Sequence, residues 1–157
     1  HPVTNVLYML QMIIGGAPGG TAGGVKVTAA AITFLLFKAE LTGQTEVTFR
    51  NRVIANKVIK QTFTILIFFF TILTVGYMAL LLFEPHHNPL ALLFEAISAI
   101  ATVGVSMDLT PQLSTGGRIV IMVLMFVGRV GPITVLLSLL QRKRKDIHYA
   151  QTTINMG

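Results

Sequence analysis

Residues Pro89 to Ala101 form an apolar segment that runs without interruption into Thr102-Val103-Gly104-Val105-Ser106. As helix its roughly 13 residues would extend about 20 Å at 1.5 Å per residue, against a hydrocarbon core of about 30 Å. The segment is therefore expected to enter a bilayer without crossing it. Non-helical backbone is tolerated at that depth only where protein or a water-filled cavity satisfies its polar groups, so the Thr-Val-Gly turn is predicted to line a cavity. The chain then leaves through a short polar stretch and re-enters as a second apolar run, Gly117 to Leu140.

Composition makes the bilayer the right frame. The 157 residues are 53% hydrophobic and 11% charged, where a soluble domain carries about 25% charged residues. The formal charge of +6 is not a nucleic-acid signature, because the basic residues gather in two segments beside apolar runs and lack interleaved stacking aromatics. That is how cytoplasmic loops of a membrane protein are charged. With no cysteine, disulfides and thiolate metal sites are excluded. The opening His1-Pro2 shows no basic n-region of a signal peptide, and the chain reads as part of something longer.

Near the amino end, two apolar runs flank Gly15-Gly16-Ala17-Pro18-Gly19-Gly20-Thr21-Ala22-Gly23-Gly24. Val3 to Ile14 and Val25 to Phe37 are each too short to cross alone. Six glycines in ten positions would cost a continuous helix about 5 kcal/mol relative to alanine, and Pro18 interrupts it further. A discontinuous crossing helix is expected; a close-packed small-residue seam is the alternative. A phosphate loop is excluded, because Val25 stands where the G-x-x-x-x-G-K-[ST] pattern requires lysine.

Lys38 to Lys60 is the first basic segment and is assigned to the cytoplasm. Gln61 to Phe83 is a crossing helix of uncharged residues, whose Phe68-Phe69-Phe70 cluster is packing or lipid-facing surface. Glu84-Pro85-His86-His87-Asn88 then forms an outer turn. Its two histidines lack further metal ligands at a useful spacing. The short helix enters from that outer face and returns to it by Met107 to Gly116, so the last apolar run goes inward. It ends at Gln141-Arg142-Lys143-Arg144-Lys145, on the same side as the first basic segment.

A half-helix ending in a glycine turn is the plan of a cation filter, in which carbonyl oxygens replace the ion's hydration shell and the negative end of the helix points at the ion. Gly104 is the leading candidate, because a filter turn needs dihedrals that glycine adopts freely. Thr102, Val103 and Val105 supply backbone beside it. Arg129 lies in the middle of the last apolar run, where an arginine costs about 2.5 to 3.5 kcal/mol on insertion scales. It is expected to face a pore just below the turn or to pair with a carboxylate. Pro132 removes the helical partner of the Gly128 carbonyl, and a kink is expected there. Glu95 either attracts cations or bonds to neighbouring N–H groups and holds the turn in place, and Asp108 contributes to the outer cation field.

Leu93-Phe94-Glu95-Ala96-Ile97-Ser98-Ala99 followed by Thr102-Val103-Gly104 resembles the last pore loop of the Trk/Ktr/HKT superfamily of potassium transporters. Gly15 to Lys26 resembles the break in the inner helix of that family's third repeat. With Arg129, the likeness is closest to the Ktr-type pore subunit and covers nearly all of the chain. It implies an all-α membrane protein built from outer-helix, pore-loop, inner-helix repeats of a potassium-channel-like pore. Residues 1–40 would be the third inner helix, broken by the intramembrane loop 15–24, and residues 41–60 a cytoplasmic basic segment. The fourth repeat would occupy 61–141, with a crossing helix over 61–83, a pore half-helix over 89–101, a filter over 102–106 and an inner helix over 117–141. Residues 142–157 would be a cytoplasmic basic tail. The first two repeats, and the outer helix and pore loop of the third, are not in this sequence.

The resemblance also implies a homodimer in the plasma membrane and a cytosolic ring of nucleotide-binding regulatory subunits. K⁺ would be the transported ion, with Na⁺ dependence. Gly15, Gly16, Pro18, Gly19, Gly20, Thr21, Gly23 and Gly24 would then form a gate beneath the filter, with Lys26 as an anchor or electrostatic barrier. The alternative is a secondary transporter with broken helices at a midplane substrate site. No paired carboxylates, activated nucleophile or metal set suggests an enzyme.

Overall fold

The computed structural model describes residues 2–16, 23–44, 46–50 and 52–130. Outside them lie the expectations for Pro18, Gly19, Gly20 and Thr21, for the last run beyond Val130 with its Pro132, and for the basic tail. Among the described residues the chain is mainly helical. Helix α1 spans Pro2–Ile13, α2 Val27–Leu41, α3 Asn56–Phe83, α4 Pro89–Ile100 and α5 Thr115–Val130.

Between α1 and α2 the backbone leaves helical geometry. The N–H of Val25 donates to the Ile13 carbonyl at 3.0 Å, and that of Gly15 to the Val25 carbonyl at 2.7 Å. Ile14 and Val25 thus run parallel, side by side. The spacing is too tight for larger residues, since a β-carbon on Gly15 would collide with the Gly23 carbonyl. Gly24 completes the passage at φ +74, a conformation that side chains with a β-carbon rarely adopt. Helix α2 continues to Leu41, beyond the expected limit at Phe37, and places Lys38 in its last turn, where the dipole favours a cation.

The basic segment departs from an all-helical reading. Thr48–Phe49 (β1) pairs antiparallel with Arg52–Val53 (β2), with Phe49 opposite Arg52. Arg50, at φ +46, makes the reversal and lies 5.8 Å over the Phe49 ring.

Helix α3 begins at Asn56, earlier than the apolar boundary at Gln61 suggested. Lys57 and Lys60 are exposed on its first turns. Charged side chains can continue a helix past the end of its apolar stretch by keeping their heads in water. At 28 residues α3 is long and apolar enough to cross a membrane, about 42 Å at the helical rise.

Helix α4 is the centre of the molecule. Asn88 caps it by accepting the Leu90 N–H at 2.8 Å, and Pro89 follows where its missing N–H costs nothing. Every residue from Phe94 to Ile100 is buried. Helices α1, α3 and α5 all pack on it. Tyr8 of α1 stacks on Phe94 at 6.0 Å. Phe69 of α3 is buried in the same core while Phe70 faces outward, so the triple-phenylalanine run divides between packing and surface.

Helix α5 starts at Thr115, before the expected Gly117, because Ser114 caps it: the Ser114 hydroxyl accepts the Gly117 N–H at 3.2 Å. Ser114 is itself held by Glu84, whose carboxylate accepts its N–H at 2.6 Å. Glu84 is buried and packs so closely on α5 that a side chain at Gly117 would overlap it.

Candidate functional site

At the end of α4 the chain reverses and runs back beside the helix it has just left. Three alternate N–H groups tie the returning strand to α4. Val103 donates to the Ser98 carbonyl at 3.0 Å, Val105 to the Ser98 hydroxyl at 3.0 Å, and Met107 to Oε1 of Glu95 at 2.9 Å. In a trans peptide the carbonyl of one residue points opposite to the N–H of the next, and no described peptide is cis. The carbonyls of Thr102, Gly104 and Ser106 therefore face away from α4.

Thr102 has φ +54 and Gly104 φ +83. At Gly104 the conformation is free, and a β-carbon there would meet nothing within 4 Å. At Thr102 it carries a cost of order 1–2 kcal/mol, and the side chain is fixed there because its Oγ1 accepts the Gly23 N–H at 2.8 Å. Val103, Gly104 and Val105 are exposed.

Beside the strand lies a cavity of about 630 Å³, bordered by Ser98, Thr102, Gly104 and Val105 on one side and by Met125 and Arg129 of α5 on the other. Arg129 is exposed on this cavity. The preceding residue, Gly128, presses against the end of α4, where a β-carbon would overlap the Ile100 carbonyl. The close approach of the two helices sets the height of Arg129 relative to the turn.

The glycine-rich break meets the turn from another direction. A β-carbon on Gly23 would lie 2.7 Å from Thr102 Oγ1 and 2.9 Å from the Ala101 carbonyl oxygen, so only glycine fits. A β-carbon on Gly24 would come 3.5 Å from that of Ala101, and Gly16 accepts the Val27 N–H at 3.4 Å. Lys26 stands at the N-cap of α2 with extended dihedrals. The structure thus brings Thr102, Gly104, Val105 and Arg129 to one cavity and Gly23 onto Thr102.

Glu95 is 4% exposed and belongs to the support of the strand. Besides Met107 it accepts the Ser106 hydroxyl at 2.5 Å and the Thr110 hydroxyl at 2.7 Å. Asp108 is exposed on the loop between α4 and α5 at φ +60, and its carbonyl accepts the Gln112 amide at 2.9 Å. His87 lies 3.6 Å from Glu84. Among the described residues no group of three or more potential metal-ligating side chains converges.

The sequence reading assigns neither Ser98 nor Gly128 a part in shaping the turn. Ser98 lies three residues after Glu95, a spacing that puts both on one helix face, and that was the available signal. Gly128 carries no local signal, because what it admits is a carbonyl from another helix.

The model of the TrkH family, described as a cation transport protein, matches residues 1–146. The Ktr system potassium uptake protein B of Bacillus subtilis is 33% identical over 98% of this chain and 34% of its own length. The potassium/sodium uptake protein NtpJ of Enterococcus hirae is 35% identical over 97% of this chain and 35% of its own. The Ktr system potassium uptake protein D of Bacillus subtilis is 32% identical over 93% and 32%, respectively. The chain spans about a third of the length of these relatives. Its match to the family model runs over nearly all of its residues, and the chain belongs to the TrkH family of cation transport proteins.

Proposed function

We propose that this chain supplies a pore loop and its flanking helices to the pore-forming subunit of a K⁺ uptake system in the plasma membrane. The reading is carried by the ladder of N–H groups at 103, 105 and 107, which sends the carbonyls of Thr102, Gly104 and Ser106 to the face opposite α4. A row of carbonyl dipoles aimed one way is what strips water from a monovalent cation without a charged ligand. The carboxyl end of α4 adds its negative dipole at the same point. Thr102, Val103, Gly104 and Val105 form one repeat's share of the filter in this reading, and K⁺ is the ion held. The potassium uptake named for the relatives supports that choice of ion, and potassium/sodium uptake by another keeps Na⁺ as a second or coupling ion.

The remaining residues take roles around that filter. Arg129, on the cavity that Gly104 borders, limits cation occupancy below the filter. The glycine-rich segment, with Gly15, Gly16, Gly23 and Gly24 at its ends, is the gate, and Lys26 raises the positive potential at the start of α2. The basic segment around Lys57 and Lys60 lies at the cytoplasmic surface, where a nucleotide-binding regulatory ring docks on a homodimer.

The test is uptake of K⁺ by cells that lack their own K⁺ uptake and express the complete gene product. Growth at low K⁺ is expected with the unaltered protein. Gly104→Ala should retain membrane abundance, because its β-carbon enters open space, yet lose K⁺ over Na⁺ preference, because the backbone leaves φ +83. Unaltered preference in Gly104→Ala would remove residue 104 from the filter.

A further inference from the structure

We infer that Glu95 is a positioning residue for ion selection, setting the outer end of the filter by fixing the direction of the Ser106 carbonyl. The inference rests on the filter reading above and extends it beyond residues 102–105.

Two side chains of α4 hold the strand. Ser98 receives the Val103 N–H on its backbone carbonyl and the Val105 N–H on its side-chain hydroxyl, and so fixes the peptides that carry the Thr102 and Gly104 carbonyls. Glu95 receives the N–H of Met107, and so fixes the peptide that carries the Ser106 carbonyl. The rungs follow one another along the strand, and the third differs from the first two in being anchored by a carboxylate.

The carboxylate is fully engaged in this task. Its Oε1 takes Met107 N–H and the Ser106 hydroxyl, its Oε2 takes the Thr110 hydroxyl, and only 4% of the residue is exposed. Ser106 and Met107 end the strand and Thr110 lies in the turn after it, so one side chain of α4 grips this end of the strand at three points. The Thr110 and Ser106 hydroxyl oxygens lie 3.0 Å apart, and the Ser106 oxygen accepts the Thr110 N–H at 3.5 Å, which closes the cluster. Hydrogen bonds to ionised groups are about twice as strong as neutral ones. A grip of this kind limits how far the Ser106 carbonyl can swing, and selection between ions of different radius depends on that limit.

The experiment compares Glu95→Gln, Glu95→Asp and Glu95→Ala in the complete gene product, measuring K⁺ and Na⁺ uptake at matched membrane abundance. Gln keeps an oxygen for Met107 and Ser106, and its amide donates to the Thr110 hydroxyl, so K⁺ over Na⁺ discrimination should stay within about threefold of the unaltered protein. Ala abandons the third rung, and discrimination should fall about tenfold or more, the size of one lost charge-assisted hydrogen bond. Should Ala fail to reach the membrane, Asp serves, since the shorter side chain cannot reach all three donors and should lower discrimination by an intermediate amount. Discrimination unchanged in both Ala and Asp, or a drop in rate alone with selectivity intact, would overturn the role of Glu95 and leave the filter reading standing. Absence of K⁺ uptake by the unaltered protein would overturn both.

Discussion

The Gly23 N–H donates to the Thr102 hydroxyl at 2.8 Å, joining the glycine-rich break to the first residue of the turn across 79 positions of sequence. Gly23 is buried. Its N–H would have no water to turn to if the hydroxyl were removed, and an unsatisfied buried donor costs about 1–3 kcal/mol.

Thr102→Val is therefore expected to destabilise the contact by that amount, whereas Thr102→Ser keeps the oxygen and should cost less. Thermal unfolding in detergent reads the difference. In the proposed function the same substitution loosens the gate from the filter, so Thr102→Val should raise uptake measured without any cytosolic regulator, and Thr102→Ser should not. Equal behaviour of Val and Ser would remove the hydroxyl from both roles.

Gly128 and Gly76 are both contact points of α5 or α3 with a neighbour, and they should respond differently to alanine. At Gly128 the new methyl meets the backbone carbonyl of Ile100, which cannot move without shifting the end of α4. At Gly76 it meets the terminal carbons of Leu124, 2.6 Å from Cδ2, and that flexible end can rotate away. Overpacking typically costs about 1–3 kcal/mol. Gly128→Ala is expected at or above the upper end and Gly76→Ala near the lower, with α-helical content unchanged in the latter. Comparable melting temperatures for the two would show that α4 and α5 can separate freely.

Hydrogen bonding from Ser114 holds the Glu84 carboxyl below its ordinary value; burial opposes the shift, while His87 and Arg118 add to it. A carboxyl depressed on folding stabilises the protein fully above its unfolded-state value, and that contribution is lost as the pH falls through the folded one. Stability from this site should thus be flat through neutral pH and decline only below the ordinary carboxylate value of about 4.5. Glu84→Gln should be less stable than the unaltered protein at pH 7, with the gap closing under acid. Unfolding midpoints across pH 3–7, a range chosen to bracket carboxylate titration, measure it. A gap of constant size across that range would dismiss the charge as the source.

The short helix Pro89–Ile100 and the turn after it were legible from the length of the apolar stretch and the glycine that follows it. The break at the glycine pairs was legible for a similar reason, since α1 ends at Ile13 and α2 starts at Val27 around it. Boundaries were less so. Asn56 to Lys60 joined α3 although no apolar pattern marks them, and the Ser114 cap moved the start of α5. The hairpin at Thr48–Val53 was missed because its strands are two residues each, too short to show alternation. For the candidate site, residue types pointed to Thr102, Gly104 and Arg129, which border one cavity, but the ladder to Ser98 and Glu95 depends on where a reversed strand falls against a helix. Spacing within α4 hinted at a shared face and could not say what would lie on it.

Ile14 and Val25 stand side by side, so the stretch between Gly16 and Gly23 departs and returns at neighbouring points of the frame. The separation of α1 and α2 is thus fixed by the few backbone bonds where Ile13, Gly15 and Val25 meet, close to where each helix sets out.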